Sequence, residues 1–112
     1  MNDNMLLVEF ELVKYIRHTA ESANSSRDGG REDLADAMDA RIRAGIYSPM
    51  IKATEMCVSL TCDESRVITD FLLELVNMMR LDDGRYNTEL LLRFQECLAA
   101  ELAKVGAYPS MW

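Results

Sequence analysis

The segment from Cys62 to Arg80 would be apolar on almost every side if it formed a helix. At helical spacing its polar residues make a stripe one residue wide, which consists of Arg66, Asp70, Glu74, Asn77 and Arg80. The positions between them are mostly Val, Ile, Phe, Leu and Met. A helix of this composition has to be buried on several sides, so we expect the chain to fold as a helical bundle.

Apolar residues at helical spacing continue through most of the chain and predict an all-α fold, a compact bundle of about five helices. The predicted helices cover approximately residues 3–23, 31–45, 49–60, 62–80 and 87–105. Thr61 and Glu64 have the spacing of a capping box, which places the start of the fourth helix. Segments 24–30 and 81–87 are rich in turn-forming residues and are expected to be loops.

Finer features of the second and third helices can also be predicted. A narrow stripe of Leu34, Met38 and Ile42 is expected to face the core. Gly45 is placed to end the second helix, because glycine is common just after a helix C-terminus. Ser48 is expected to cap the third helix through its hydroxyl group.

Length and composition indicate one globular domain that spans residues 1–112. Hydrophobic residues make up 49% of the chain and charged residues 28%, which is ordinary for a globular protein and too apolar for a disordered one. No window approaches 18 uncharged apolar residues, and the first residues are acidic where a signal peptide would carry lysines. We therefore expect a cytoplasmic protein.

The net charge of −7 is spread along the chain without an acidic block. Such a field repels phosphate backbones and anionic lipids, so we expect neither direct nucleic-acid binding nor membrane binding. The charge is compatible with a basic protein partner.

Glu9 interrupts the apolar seam of the first helix. Met5, Leu12 and Ile16 fall on one helical face, and Glu9 stands in the middle of that face. In a competing interpretation, residues 6–12 alternate between apolar and polar positions as in a half-buried strand. Such a strand needs a partner, and no other segment alternates convincingly, so we favour the helix.

A buried Glu9 would allow two kinds of explanation. Desolvation would raise the pKa of its carboxyl group, as in a catalytic acid. Alternatively, the carboxylate lies at the edge of the core or pairs with Arg66, Arg80 or Arg93. One carboxylate does not make a mechanism, so we favour the structural explanations and expect no catalytic residue.

The cysteines and the single histidine offer little chemistry. His18, Cys57, Cys62 and Cys97 form a set that zinc accepts, but Cys57 and Cys62 are five positions apart and on one helix would point about 140° apart. Cys62 would lie in the first turn of a helix, which favours a reactive thiolate, but its two acidic neighbours oppose this. We expect no metal or cofactor, and we expect the three cysteines to serve as small apolar filler.

The first and fourth helices have more apolar surface than their neighbours can easily cover. Leu7 and Phe10 fall toward the charged side of the first helix. Burial between subunits would resolve this excess, so we expect a homodimer through the first or the fourth helix. Tyr108, Met111 and Trp112 form an apolar tail that would suit an interface anchor, although we favour packing of this tail on its own bundle.

The sequence therefore predicts a small acidic protein-binding module, an adaptor, chaperone-like factor or inhibitor. Its apolar helical surface would include Leu7, Glu9 and Phe10 together with the C-terminal tail. An alternative is an acidic antagonist that occupies the basic groove of a nucleic-acid enzyme; its binding would weaken steeply with salt. A third class, an enzyme that uses Glu9 or Cys62, has less support.

Overall fold

Residues 3–106 are described by a computed structural model, and five helices account for most of this range. They are α1 (Asp3–Asp28), α2 (Glu32–Ile46), α3 (Pro49–Glu55), α4 (Cys62–Met79) and α5 (Thr88–Lys104). Within these residues the chain forms no β-strand, although Arg80 and Tyr86 make a single antiparallel bridge. The all-α prediction is confirmed, whereas the predicted dimer is not addressed by a single chain.

Helix α1 lies at the centre of the fold and contacts each of the other four helices. Its predicted seam of Met5, Leu12 and Ile16 is buried, as is Glu9. The alternative of a strand over residues 6–12 is therefore wrong. The helices form a compact globule with a radius of gyration of 14.2 Å. In the range covered by the structure, no helix combines the length and apolar content needed to cross a membrane.

Helix α1 continues through the segment predicted as a loop and ends at Asp28. Two tertiary contacts hold this last part in helical form. The Asn24 side chain donates a hydrogen bond to the Tyr86 carbonyl at 2.8 Å and accepts one from the Tyr86 N–H at 3.0 Å. Arg27 donates to the Asp39 carboxylate at 2.7 Å. These long-range partners outweigh the local preference of the segment for a turn.

The boundary between α2 and α3 also differs from the prediction. Gly45 lies inside α2 instead of ending it, because the ring of Tyr15 packs directly on it: a Cβ atom at Gly45 would lie 2.7 Å from Tyr15 Cε1. Ser48 occupies the N-cap position of α3, but its hydroxyl donates to the Gly45 carbonyl at 2.8 Å instead of accepting from α3. Helix α3 ends at Glu55, five residues early, and Cys57 then adopts a φ of 58°, which breaks the helix.

Helix α4 begins at the predicted residue, but fewer of its sides are buried than predicted. Its capping box is present: the Glu64 N–H donates to Thr61 Oγ1 at 3.1 Å and the Thr61 N–H donates to Glu64 Oε1 at 2.9 Å. Only one stripe of the helix is fully buried, consisting of Ile68, Leu72, Leu75 and Met79. Val67 is 54% exposed and Met78 is 67% exposed. The expectation of burial on several sides is wrong within the single chain, because α1, not α4, lies at the centre of the fold.

Candidate functional site

Glu9 lies on the inward side of α1 with 2% of its surface exposed. Burial raises the pKa of its carboxyl group from 4.5 to about 7, while the positive charge of the N-terminal amino group acts in the opposite direction. The arginines suggested as partners do not pair with it: Arg66 lies 3.9 Å from Asp63, and Arg80 lies 3.5 Å from Asp39. Between residues 3 and 106, no Lys or Arg nitrogen comes within 4.0 Å of the Glu9 carboxylate. Glu9 is therefore a buried acid without a cationic partner in this part of the chain.

An apolar groove with a volume of about 310 Å³ opens above Glu9, between α4 and α5. We call it the Glu9 groove, and its lining residues are Glu9, Val67, Phe71, Phe94, Cys97, Leu98 and Glu101. The rings of Phe71 and Phe94 meet edge to face across it, with centroids 6.2 Å apart and an interplanar angle of 61°. This arrangement joins α4 to α5 at one aromatic contact and leaves Val67 half exposed at the side.

The Glu9 groove combines two properties that favour one kind of ligand. Its walls are aliphatic and aromatic, so they stabilise apolar groups by removing them from water. The surface of the groove is apolar throughout, so the Glu9 carboxyl group lies beneath it; with a pKa of about 7 this group is about half protonated at neutral pH. A cation that entered the groove would favour the ionised form of Glu9 and would form a pair shielded from solvent. The groove is thus suited to an apolar segment that carries a basic side chain.

The structure describes three of the six residues predicted to bind protein. Glu9 lies at the floor of the groove. Phe10 is buried with Leu6, Ala99 and Leu102 in a small cluster between α1 and α5, and Leu7 is half-buried against the same cluster. The pattern of the sequence placed Leu7 and Phe10 toward the charged side of α1, but α5 covers them. Tyr108, Met111 and Trp112 lie outside the described residues.

The cysteines and His18 do not converge. Cys57, Cys62 and Cys97 are all exposed, so the expectation that they fill the core is wrong. His18 is exposed on α1, where its Nε2 atom lies 3.0 Å from a guanidinium nitrogen of Arg17. No group of three or more His, Cys, Asp or Glu side chains in residues 3–106 has a geometry that would hold a metal ion.

A second polar cluster, which the sequence did not reveal, surrounds Asp39. The Tyr86 hydroxyl donates to Asp39 Oδ1 at 2.9 Å and accepts a hydrogen bond from Arg80 at 2.9 Å. Arg27 donates to Asp39 Oδ2 at 2.7 Å from the opposite side. Burial and the hydrogen bond to Asp39 raise the pKa of Tyr86 to about 12, while the positive charges of Arg80 and Arg43 act in the opposite direction. This cluster ties α1, α2 and the end of α4 to the turn before α5.

No protein-family model, curated protein or solved structure matches this chain. The interpretation of the site therefore depends on its geometry and chemistry.

Proposed function

We propose that the protein acts in the cytoplasm by binding another protein through the Glu9 groove. The partner would present an apolar segment with at least one Lys or Arg side chain that reaches Glu9. The observation that carries this proposal is the carboxyl group of Glu9, buried beneath an apolar groove and without a cationic partner among residues 3–106. A buried acid of this kind lowers stability when it ionises, and a bound cation would remove that cost.

The same observation supports binding better than catalysis. General acid–base catalysis needs a second group positioned to complete the proton transfer or to stabilise the developing charge. The remaining lining of the groove is mainly aliphatic and aromatic, with Cys97 and Glu101 as its other functional groups. Apolar walls around one carboxylate fit recognition of a side chain, as in grooves that accept an amphipathic helix.

Two synthetic amphipathic peptides provide the direct test, one made of leucine and lysine and a matched one of leucine and glutamate. Each would be titrated into ¹⁵N-labelled protein and followed by heteronuclear NMR. We expect the lysine peptide to shift the amide signals of Val67, Phe94 and Leu98, and the glutamate peptide to leave them unchanged. Equal effects of both peptides, or shifts confined to other surfaces, would refute the proposal.

The dependence of this binding on salt separates the two protein-binding functions. Contact through the apolar groove, with one shielded ion pair, should change little between low and high salt. An acidic antagonist of a basic groove depends on many exposed charges, so its affinity would fall steeply. A steep fall in affinity for the lysine peptide would favour the antagonist.

Self-association is a further part of the proposal. Val67 and Met78 are 11 positions apart on α4, which places them on one face of the helix, and both are exposed. A second copy of the chain would cover this face in a homodimer, and because Val67 also lines the Glu9 groove, the copy and the partner would compete for that residue. Sedimentation equilibrium should then detect a dimer that Met78→Glu dissociates. A wild-type monomer at high micromolar concentration would contradict the dimer and leave the groove proposal to the peptide titration.

A further inference from the structure

A second cleft, with a volume of about 440 Å³, opens between α2 and α4 on the side of α4 away from the Glu9 groove. We call it the Arg43 cleft, and its lining residues are Ile42, Arg43, Ile46, Tyr47, Leu73, Val76, Asn77, Arg80 and Tyr86. Pockets that bind small molecules have volumes of roughly 300–1,000 Å³, with mostly apolar walls and a few placed polar groups. The Arg43 cleft has this size, and its accessible surface is about equally polar and apolar.

The apolar part of the cleft is fixed by the core. Ile42 and Ile46 of α2 are buried at its base, and Leu73 and Val76 of α4 are half-buried along its wall. The ring of Tyr86 is buried as well, and its hydrogen bond to Asp39 holds it in place. An apolar ligand body would therefore meet a formed surface instead of having to order a loose one.

Two guanidinium groups stand beside the apolar part of the cleft. Arg80 stacks over the Tyr86 ring, 5.1 Å from its centroid, and is held there by its hydrogen bond to the Tyr86 hydroxyl. Arg43 is exposed, and in the described part of the chain no carboxylate oxygen lies within 4.0 Å of it. The protein as a whole has a net charge of −7. Arg43 has no carboxylate partner in that part of the chain, so the mouth of the cleft is locally positive.

We propose that the Arg43 cleft binds a small molecule with an apolar body and one anionic head group, such as a medium-chain carboxylate. The apolar body would lie against Leu73, Val76 and the exposed ring of Tyr47, and the head group would accept hydrogen bonds from the Arg43 guanidinium. Arginine suits this role because its planar group donates two parallel hydrogen bonds to a carboxylate. Charge complementarity selects an anion here, whereas the Glu9 groove selects a cation.

Three ligands of equal chain length test the chemistry of the head group: decanoate, decanol and decylammonium. Each would be titrated into ¹⁵N-labelled wild-type protein, decanoate and decylammonium below their micelle concentrations and decanol below its solubility limit, and affinities would be compared in the range that all three reach. We expect decanoate to bind most tightly and to shift the amide signals of Ile46, Leu73 and Asn77. Equal affinity for the three compounds, no decanoate binding at millimolar concentration, or shifts located at the Glu9 groove would each overturn the proposal. These measurements need no variant.

Arg43→Gln and Arg41→Gln form a matched pair of variants. Both remove one exposed positive charge from α2, but only Arg43 lines the cleft. We expect Arg43→Gln to weaken decanoate binding by roughly tenfold, because a charge-assisted hydrogen bond is lost, and Arg41→Gln to leave it within about twofold. Equal effects of the two variants would show that net charge, not the cleft, determines affinity. Val67→Glu should leave decanoate binding unchanged, which separates this site from the Glu9 groove.

Discussion

The Tyr86 hydroxyl donates a hydrogen bond to Asp39 Oδ1 at 2.9 Å, between residues 47 positions apart in the chain. Both residues are buried, so this contact joins α2 to the turn before α5 without the help of water. Arg27 and Arg80 approach the same aspartate and balance its charge. The cluster holds the end of α4 next to α2, where the Arg43 cleft is formed.

Tyr86→Phe should lower the free energy of unfolding by about 1–3 kcal/mol, because it leaves a buried acceptor on Asp39 and a donor on Arg80 without a partner. Tyr47→Phe removes the same hydroxyl from an exposed ring and should change stability by less than about 0.5 kcal/mol. Urea denaturation of both variants measures the difference. Equal stability of the two variants would contradict the structural role of the Asp39 cluster.

Glu9 should make the protein less stable as the pH rises. The native carboxyl group keeps its proton up to a pKa of about 7, whereas the unfolded chain loses it near 4.5. Between these values the unfolded state binds fewer protons, so this group's contribution to stability falls as pH rises and is fully lost above pH 7. The total loss is about 3 kcal/mol, since one pKa unit corresponds to about 1.4 kcal/mol.

Glutamine does not ionise, so the Glu9→Gln variant should not lose stability at this position as the pH rises. We expect it to match the wild type near pH 4 and to exceed it in stability by up to about 3 kcal/mol at pH 8. Glu96→Gln, which removes a charge from an exposed position of α5, provides the control. Urea denaturation at pH 4, 6 and 8 would show the trend. A difference between Glu9→Gln and the wild type that does not depend on pH would show that Glu9 is ionised in the native state.

The sequence predicted the type and approximate position of each helix, because those depend on local spacing. It also placed Glu9 in the apolar seam of Met5, Leu12 and Ile16, whose position does not depend on the neighbouring helices, but it left open whether the Glu9 carboxylate is buried or paired. The capping box of Thr61 and Glu64 was predicted for the same reason, because its contacts span only three residues.

The Asp39 cluster could not be predicted in this way. The stripe of Leu34, Met38 and Ile42 differs from the buried face of α2, which consists of Ala35, Asp39, Ile42 and Ile46. Choosing the face with the larger apolar residues assigned Asp39 to solvent. Its partners come from three distant segments, and no local pattern connects Arg27 or Tyr86 with it. The Glu9 groove depends likewise on how α4 and α5 meet.

Gly45→Ala should destabilise the protein by about 1–2 kcal/mol, although alanine is the better helix former. The new Cβ atom would lie 2.7 Å from Tyr15 Cε1 and 3.0 Å from Tyr15 Cδ1, so the ring would have to move. In the background of Tyr15→Ala the same change should be stabilising by up to about 1 kcal/mol. A double-mutant cycle measured by thermal denaturation tests this coupling. Additive effects would contradict the close packing of α1 on α2.

Thr61→Ala should cost about 1 kcal/mol, because the Glu64 N–H loses its acceptor at the start of α4. Thr61→Ser keeps the hydroxyl group and should restore most of the stability. Chemical denaturation of the two variants compares them directly. If serine behaved like alanine, the capping hydrogen bond would not account for the stability at this position.

We expect the Glu9 groove to receive an apolar, basic segment of another protein. Isothermal titration calorimetry can test this binding by measuring the dissociation constant of the leucine–lysine peptide for two variants, Val67→Glu and Ile51→Glu. Val67 and Ile51 are 54% and 65% exposed, and each substitution adds one negative charge, but only Val67 lines the groove. We predict at least roughly tenfold weaker binding for Val67→Glu, since a buried apolar contact is lost, and little change for Ile51→Glu. Binding that both substitutions strengthen alike would reflect general attraction of a cationic peptide to an acidic protein and would contradict this expectation.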